Sequence, residues 1–127
     1  MARRMSCALT VDAVLERRKT VTRRHVDTWR SLKPGDRLTL VEKGMGLKKG
    51  EKQRVLALVQ VVDVRDEPIG RILDEPCGVE REGFPHSSGL WFAGFWLKSH
   101  GYKVSEFGPF GSILRTQCRR IEWTYLP

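Results

Sequence analysis

No stretch of this chain approaches the ~18 consecutive apolar residues that a membrane-spanning helix needs, so a membrane partner is not expected. The cysteines are few and isolated. Cys7, Cys77 and Cys118 form no C-x-x-C pair, and His25, His86 and His100 are equally scattered, which argues against structural zinc and any metal site. Reduced, buried thiols are the plain expectation. The start, Met1-Ala2-Arg3-Arg4, is basic but lacks the apolar run and small-residue cleavage site of a signal peptide, which points to the cytoplasm. Internal repeats, low-complexity tracts and domain linkers are missing, so residues 1–127 read as one domain, expected to be a monomer. No Walker or Rossmann fingerprint occurs, and no cofactor is expected.

What is present describes a folded, basic protein. A 40% hydrophobic and 9% aromatic content supports a core, since disordered chains lack aromatics. Twenty-three Lys and Arg against fifteen Asp and Glu leave a formal charge of +8, which favours a polyanionic partner by long-range attraction. The charge concentrates in Arg17-Arg18-Lys19-Thr20-Val21-Thr22-Arg23-Arg24, where five of eight residues are cationic. This run follows an amphipathic helix pattern and precedes a Pro-Gly-Asp turn. It reads as an ordered strand start that lines a cleft for a nucleic acid or nucleotide-like ligand.

Around it, residues 5–9 suggest a first strand. Thr10 serves as a helix N-cap with Asp12 in the first turn. Val11, Val14 and Leu15 then form an apolar stripe, and Glu16, Arg17 and Arg18 end the helix. The β-branched residues of 20–24 favour a strand, with Val21 toward the core and Thr20, Thr22 and Arg24 on the other face. Residues 27–32 suggest a helical turn. Lys33-Pro34-Gly35-Asp36 is a turn by its chemistry, because Pro presets one torsion and Gly tolerates positive φ. Strand 37–42 puts Leu38 and Leu40 on one face. The connection 43–52, with four lysines and three glycines, reads as a hairpin loop.

Residues 54–64 form the strongest strand, a nearly continuous Val/Leu run that predicts burial on both faces at the centre of the sheet. Ile69, Ile72 and Leu73 anchor an irregular stretch. Ser87 or Ser88 caps a helix to about Ser99, with Gly101 beyond its end. Its pairs Trp91/Phe95 and Phe92/Trp96 sit at i,i+4 and read as core packing in preference to a base-stacking platform. Phe107-Gly108-Pro109-Phe110-Gly111 is a turn-rich loop with exposed-looking aromatics. A last strand, 119–126, alternates Ile121, Trp123 and Tyr125 with Arg120, Glu122 and Thr124. The sum is α+β: five or six strands and two principal helices in a small, partly closed barrel with helices at its mouth.

Taken together, Arg18-Lys19-Thr20-Val21-Thr22-Arg23-Arg24, Pro34-Gly35-Asp36 and Arg81-Glu82-Gly83-Phe84 before an aromatic helix resemble the ASCH domain family over roughly residues 5–125. That resemblance implies a PUA-like barrel whose cleft meets RNA or a modified nucleoside. Some small bacterial members are amidohydrolases that deacetylate acetylcytidine with a lysine, a threonine and a glutamate; another small member is a ribonuclease. Lys19 and Thr22 match the first two by spacing, and Glu82 matches the third by its place before the helix. The inserted loop at 43–52 and the longer tail after Gly101 depart from the family and bear on the substrate. A bacterial or phage source fits such a chain.

The chemistry of these residue types agrees. A lysine among Arg17, Arg18, Arg23 and Arg24 is disfavoured in its charged form, so it can take a proton from a threonine hydroxyl. A carboxylic acid at Glu82 can then protonate a leaving amine, the plainer alternative being a salt bridge to Arg24 or Arg81. Three readings follow. In the first the chain binds RNA, a nucleoside or a nucleotide in a basic cleft through Arg18, Thr20, Arg23, Arg24, Lys48 and Lys49. The second is a metal-independent hydrolase using Lys19, Thr22 and Glu82. The third is a protein-interaction module docking through residues 107–110.

Overall fold

The computed structural model describes residues 3–43, 47–104 and 111–127. Five strands form one mixed sheet in the order β1-β3-β4-β5-β2. β1 (Arg3–Ser6) runs parallel to β3 (Arg37–Val41), while β3, β4 (Val55–Pro68), β5 (Gln117–Tyr125) and β2 (Val21–His25) pair antiparallel in succession. The sheet curls into a half-barrel, an α+β fold consistent with the expected partly closed barrel. β1 and β2 are its two edges and share no ladder. Instead the Arg24 guanidinium on β2 donates to the carbonyl of Ser6 on β1 at 2.5 Å, so one side chain spans the open seam.

β4 is the spine, as its composition predicts, and pairs with both β3 and β5. It is not buried on both faces. Val59 and Val61 are fully buried, whereas Val55, Leu58 and Val62 are about half exposed. The strand alternates, with Val59 and Val61 on the core side and Leu58 and Val62 on the outer side, and at Val62 a bulge follows. Val61 lies opposite Trp123 and Asp63 opposite Glu122, so Val62 drops out of register and the strand changes face. Before the bulge β4 covers a cluster with Met5, Leu38, Leu40, Ile121 and Trp123; a second cluster beyond it joins Ile69, Ile72, Phe92, Trp96 and Cys118. Leu73, expected as an anchor, is exposed.

The first helix, α1 (Val11–Leu15), is shorter than its sequence pattern suggests. Arg17 takes a positive φ of 61°, and the Arg18 and Lys19 amides both donate to the carbonyl of Ala13. That tight ending turns the chain inward at Lys19. Ala13 and Val14 carry the burial, while Leu15 is exposed and Thr10 caps without a side-chain hydrogen bond. The Pro-Gly-Asp turn behaves as read: Gly35 has φ 94°, and the Asp36 carboxylate accepts from the Lys33 amide at 3.1 Å.

A short helix, α2 (Gly78–Glu82), stands ahead of the aromatic helix. It ends at Gly83 with φ 103°, where a Cβ would lie 2.7 Å from the Thr10 methyl, so only glycine fits. α3 (Gly89–Ser99) matches its expected bounds. Ser88 accepts from the Trp91 amide at 3.0 Å as N-cap, and Gly101 follows with φ 85°. Residues 44–46 of the lysine-rich loop and residues 107–110 of the aromatic loop lie outside the described residues.

Candidate functional site

The open seam of the half-barrel is a cavity of about 290 Å³. Ser6 and Cys7 leave β1 on one side; Thr22, Arg23 and Arg24 of β2 stand on the other; Lys19 and Glu82 form its floor. Phe84 and the α3 residues Phe92, Phe95 and Trp96 make an aromatic wall, with His100 at its end. Lys19, Thr22 and Glu82 therefore meet in one place.

Lys19 is fixed by its backbone before its side chain does anything. Its carbonyl accepts from the Trp123 indole N–H at 3.1 Å and from the Tyr125 hydroxyl, both on β5. Its side chain is buried, and Nζ donates to the Glu82 carbonyl at 2.6 Å and lies 3.5 Å from Glu82 Oε1. Burial holds its pKa below the ordinary lysine value; the Glu82 carboxylate pulls it upward, and Arg24 pulls it down. The direction agrees with the sequence reading, but desolvation is the main cause. Of the neighbouring arginines, only Arg24 acts on it. Arg17 turns away over the Tyr125 ring and Arg18 pairs with Glu16.

Glu82 pairs with neither Arg24 nor Arg81. Its Oε2 accepts from Arg23 Nη1 at 2.6 Å, and both groups are desolvated. Arg23 also reaches Glu75 at 2.9 Å and Glu67 at 3.4 Å. Its two terminal nitrogens are thus spent inside the protein, its buried Nε has no partner among the described residues, and its carbonyl accepts from the Trp96 indole N–H at 2.9 Å. A nucleic-acid contact by Arg23 finds no exposed donor. Arg24 does line the cavity, with Nε 3.3 Å from Thr22 Oγ1.

The remaining expected ligand residues do not join this cavity. Thr20 Oγ1 accepts from Arg81 Nε at 3.0 Å. Arg18 borders an adjoining groove with Thr10, Asp12 and Gly83. Lys48 and Lys49 are exposed on the β3–β4 connection and do not line the cavity.

Several lining residues escape a reading of the sequence. Phe95 and Trp96 have the spacing of helix packing, and Trp96 is indeed buried, yet both also face the cavity. The rings of Trp91 and Phe95 stack in parallel at 5.1 Å, with Phe84 tilted against them. The i,i+4 spacing signals that these rings meet, but not that Phe95 borders the cavity. His100 stacks on Trp96 at 4.1 Å, and its Nδ1–H donates to the Trp96 carbonyl at 2.7 Å. Nothing in the sequence marks His100 or Cys7. Among the described residues, no group of three or more His, Cys, Asp or Glu side chains is placed to hold a metal ion, and no helix is long and apolar enough to cross a membrane.

Fold and site together define a small α+β half-barrel with an aromatic-walled cavity in its seam. No family model and no curated protein matches the chain. Among solved structures, it is similar to the hypothetical protein PH0355, with a TM-score of 0.61, 18% identity and coverage of 99% of this chain and 100% of that one. It is also similar to protein EF3133 of Enterococcus faecalis V583, assigned to DUF984, with a TM-score of 0.59, 13% identity and coverage of 99% and 76%. At such identities the likeness is one of fold.

Proposed function

We propose that the chain is a single ASCH-type, PUA-like domain that takes one nucleoside, free or as a base within RNA, into the seam cavity. The observation that carries this reading is the cavity itself. Its ~290 Å³ lies at the small end of the usual ligand-site range of about 300–1,000 Å³, the size of one nucleoside and far short of an oligonucleotide. Aromatic faces on one wall suit a planar base, and Lys19, Thr22 and Arg24 supply polar contacts at the other. Calorimetric titration with nucleosides tests it. Saturable binding that disappears on Phe95→Ala is expected; no heat with any nucleoside or RNA would retire the reading in favour of a protein-interaction role.

A second reading is favoured by the state of Lys19, a buried amine with a lowered pKa in the same cavity as a threonine hydroxyl. In it the chain hydrolyses an acylated cytosine nucleoside such as acetylcytidine. Neutral Lys19 takes the Thr22 proton as the hydroxyl oxygen attacks the acyl carbon, and the resulting lysine ammonium returns a proton to the departing exocyclic amine. Water then hydrolyses the threonyl ester and restores the hydroxyl. Because Arg23 and Lys19 both pair with Glu82, its carboxylate serves as the counter-charge to the ammonium, and the proton-returning role passes to Lys19. Conversion of acetylcytidine to cytidine is followed by ultraviolet absorbance. Thr22→Ala should abolish it with the fold intact, and Lys19→Ala should lower it at least about 10²-fold. A parent protein that binds the nucleoside without ever turning it over eliminates the hydrolase and leaves the binding module.

A further inference from the structure

We propose that Arg23 is a positioning residue, one that draws the Glu82 carboxylate toward itself and so leaves the Lys19 amine free to exchange a proton with a ligand in the cavity. The proposal rests on the hydrolase reading for its purpose, but its physical content does not. Glu82 divides its two oxygens unequally. Oε2 meets Arg23 Nη1 at 2.6 Å, whereas Oε1 stands 3.5 Å from Lys19 Nζ. A carboxylate shared in this way attracts the lysine proton less than one committed to it.

Among the described residues Arg23 touches three carboxylates, and the two besides Glu82 have separate cationic partners. Glu67 pairs with Arg65 at 2.8 Å and Glu75 with Arg120 at 2.7 Å. Only Glu82, without Arg23, would be left to Lys19 alone among the described residues. The buried guanidinium therefore makes its largest difference at Glu82. The Arg23 backbone is fixed as well: its carbonyl accepts from the indole N–H of Trp96, the α3 residue that walls the cavity.

The other groups around Lys19 leave this effect visible. Cys7 faces it from the chain after β1, with its thiol raised by burial and so uncharged near neutrality. Arg24 acts from β2 and Glu82 from α2. Tyr125 on β5 meets the lysine carbonyl, its own pKa raised by burial, and His100 stands at the α3 end of the cavity. Among the described residues, Glu82 is the one carboxylate acting on the lysine, and Arg23 makes its shortest side-chain contact.

The test is the titration of the Lys19 amine by side-chain NMR in ligand-free protein. Arg23→Gln leaves each of the three carboxylates a cationic partner, and should raise the Lys19 pKa by about one unit or more. Arg23→Lys, which keeps the charge, should restore it toward the parent. If the enzyme turns over acetylcytidine, the acid limb of its pH–rate profile should move to higher pH with Arg23→Gln by the same amount. A folded Arg23→Gln protein whose Lys19 titrates as in the parent, or lower, overturns the proposal. Should that variant fail to fold, Glu75→Gln decides: it releases Arg23 to Glu82, so Lys19 should titrate lower, and an unchanged value overturns the proposal. An inactive parent protein retires only the hydrolase, because the titration is read without substrate.

Discussion

Cys118 sits on β5 without exposed surface, packed with Ile69, Phe92 and Trp96. Burial pushes its thiol from 9.0 up to about 12, against a smaller downward pull from Arg23. An acid whose folded pKa exceeds its unfolded value binds more protons when folded. Its contribution to stability is therefore whole below about pH 9 and is lost as pH rises toward about 12. The span corresponds to roughly 4 kcal/mol in the limit. Cys118→Ala should be less stable near neutrality through its small cavity, but its urea midpoint should fall less steeply than the parent's between about pH 8 and about pH 11. Parallel slopes for the two proteins would show that the thiol does not ionise on unfolding. The expectation of reduced, buried thiols holds for Cys118 and Cys7 and fails for Cys77, which is exposed at a positive φ of 55° beside α2. Isolation in sequence excludes a C-x-x-C pair; it carries no information on which thiol the fold covers.

At the scale of elements, β4 makes the sharpest contrast. Val59 is fully buried against Leu38, and Val62, three residues on, is the bulged residue with half its surface in solvent. Val59→Asp should unfold the protein, because an unpaired charge in that cluster costs several kcal/mol. Val62→Asp should stay within about 0.5 kcal/mol of the parent. Thermal melts of the pair check both, and equal melts would remove β4 from the centre of the fold. Hydrophobicity alone makes these two valines look alike. A bulge arises from pairing with β5, and the register of that partner is written some sixty residues away. Short-range signals are far more legible. Ser88, the i,i+4 aromatic pairs and Gly101 bound α3 almost to the residue, and Ser88→Ala should cost about 1 kcal/mol through loss of its hydrogen bond from the Trp91 amide. The three-residue spacing of Lys19 and Thr22 marks one side of the cavity. The aromatic wall stays hidden, because a residue at the end of a packed helix face reads the same whether its outer edge meets core or cleft.

For the whole molecule, the question is how a chain of formal charge +8 meets a ligand. Inside the seam most charges are engaged: Lys19 and Arg23 share Glu82, Arg24 adds a cation held on the Ser6 carbonyl, and Glu67 and Glu75 engage Arg65 and Arg120 behind it. The excess lies outside, on groups such as Lys48 and Lys49. Recognition inside the cavity and attraction from outside should therefore separate by their response to salt. Each neutralised phosphate releases counterions, so affinity for an oligonucleotide should fall steeply between about 50 mM and about 200 mM salt, while that for a neutral nucleoside should barely change. Lys48→Ala with Lys49→Ala should flatten the oligonucleotide slope by about one for every phosphate those lysines neutralise, and should leave nucleoside binding alone. Arg23→Gln should leave the oligonucleotide slope at its parent value, since its guanidinium has no exposed surface. Fluorescence titration of both ligands at the two salt concentrations reads all of this. A neutral nucleoside whose binding weakens with salt as steeply as the oligonucleotide's would mean that the seam is not where the base is held.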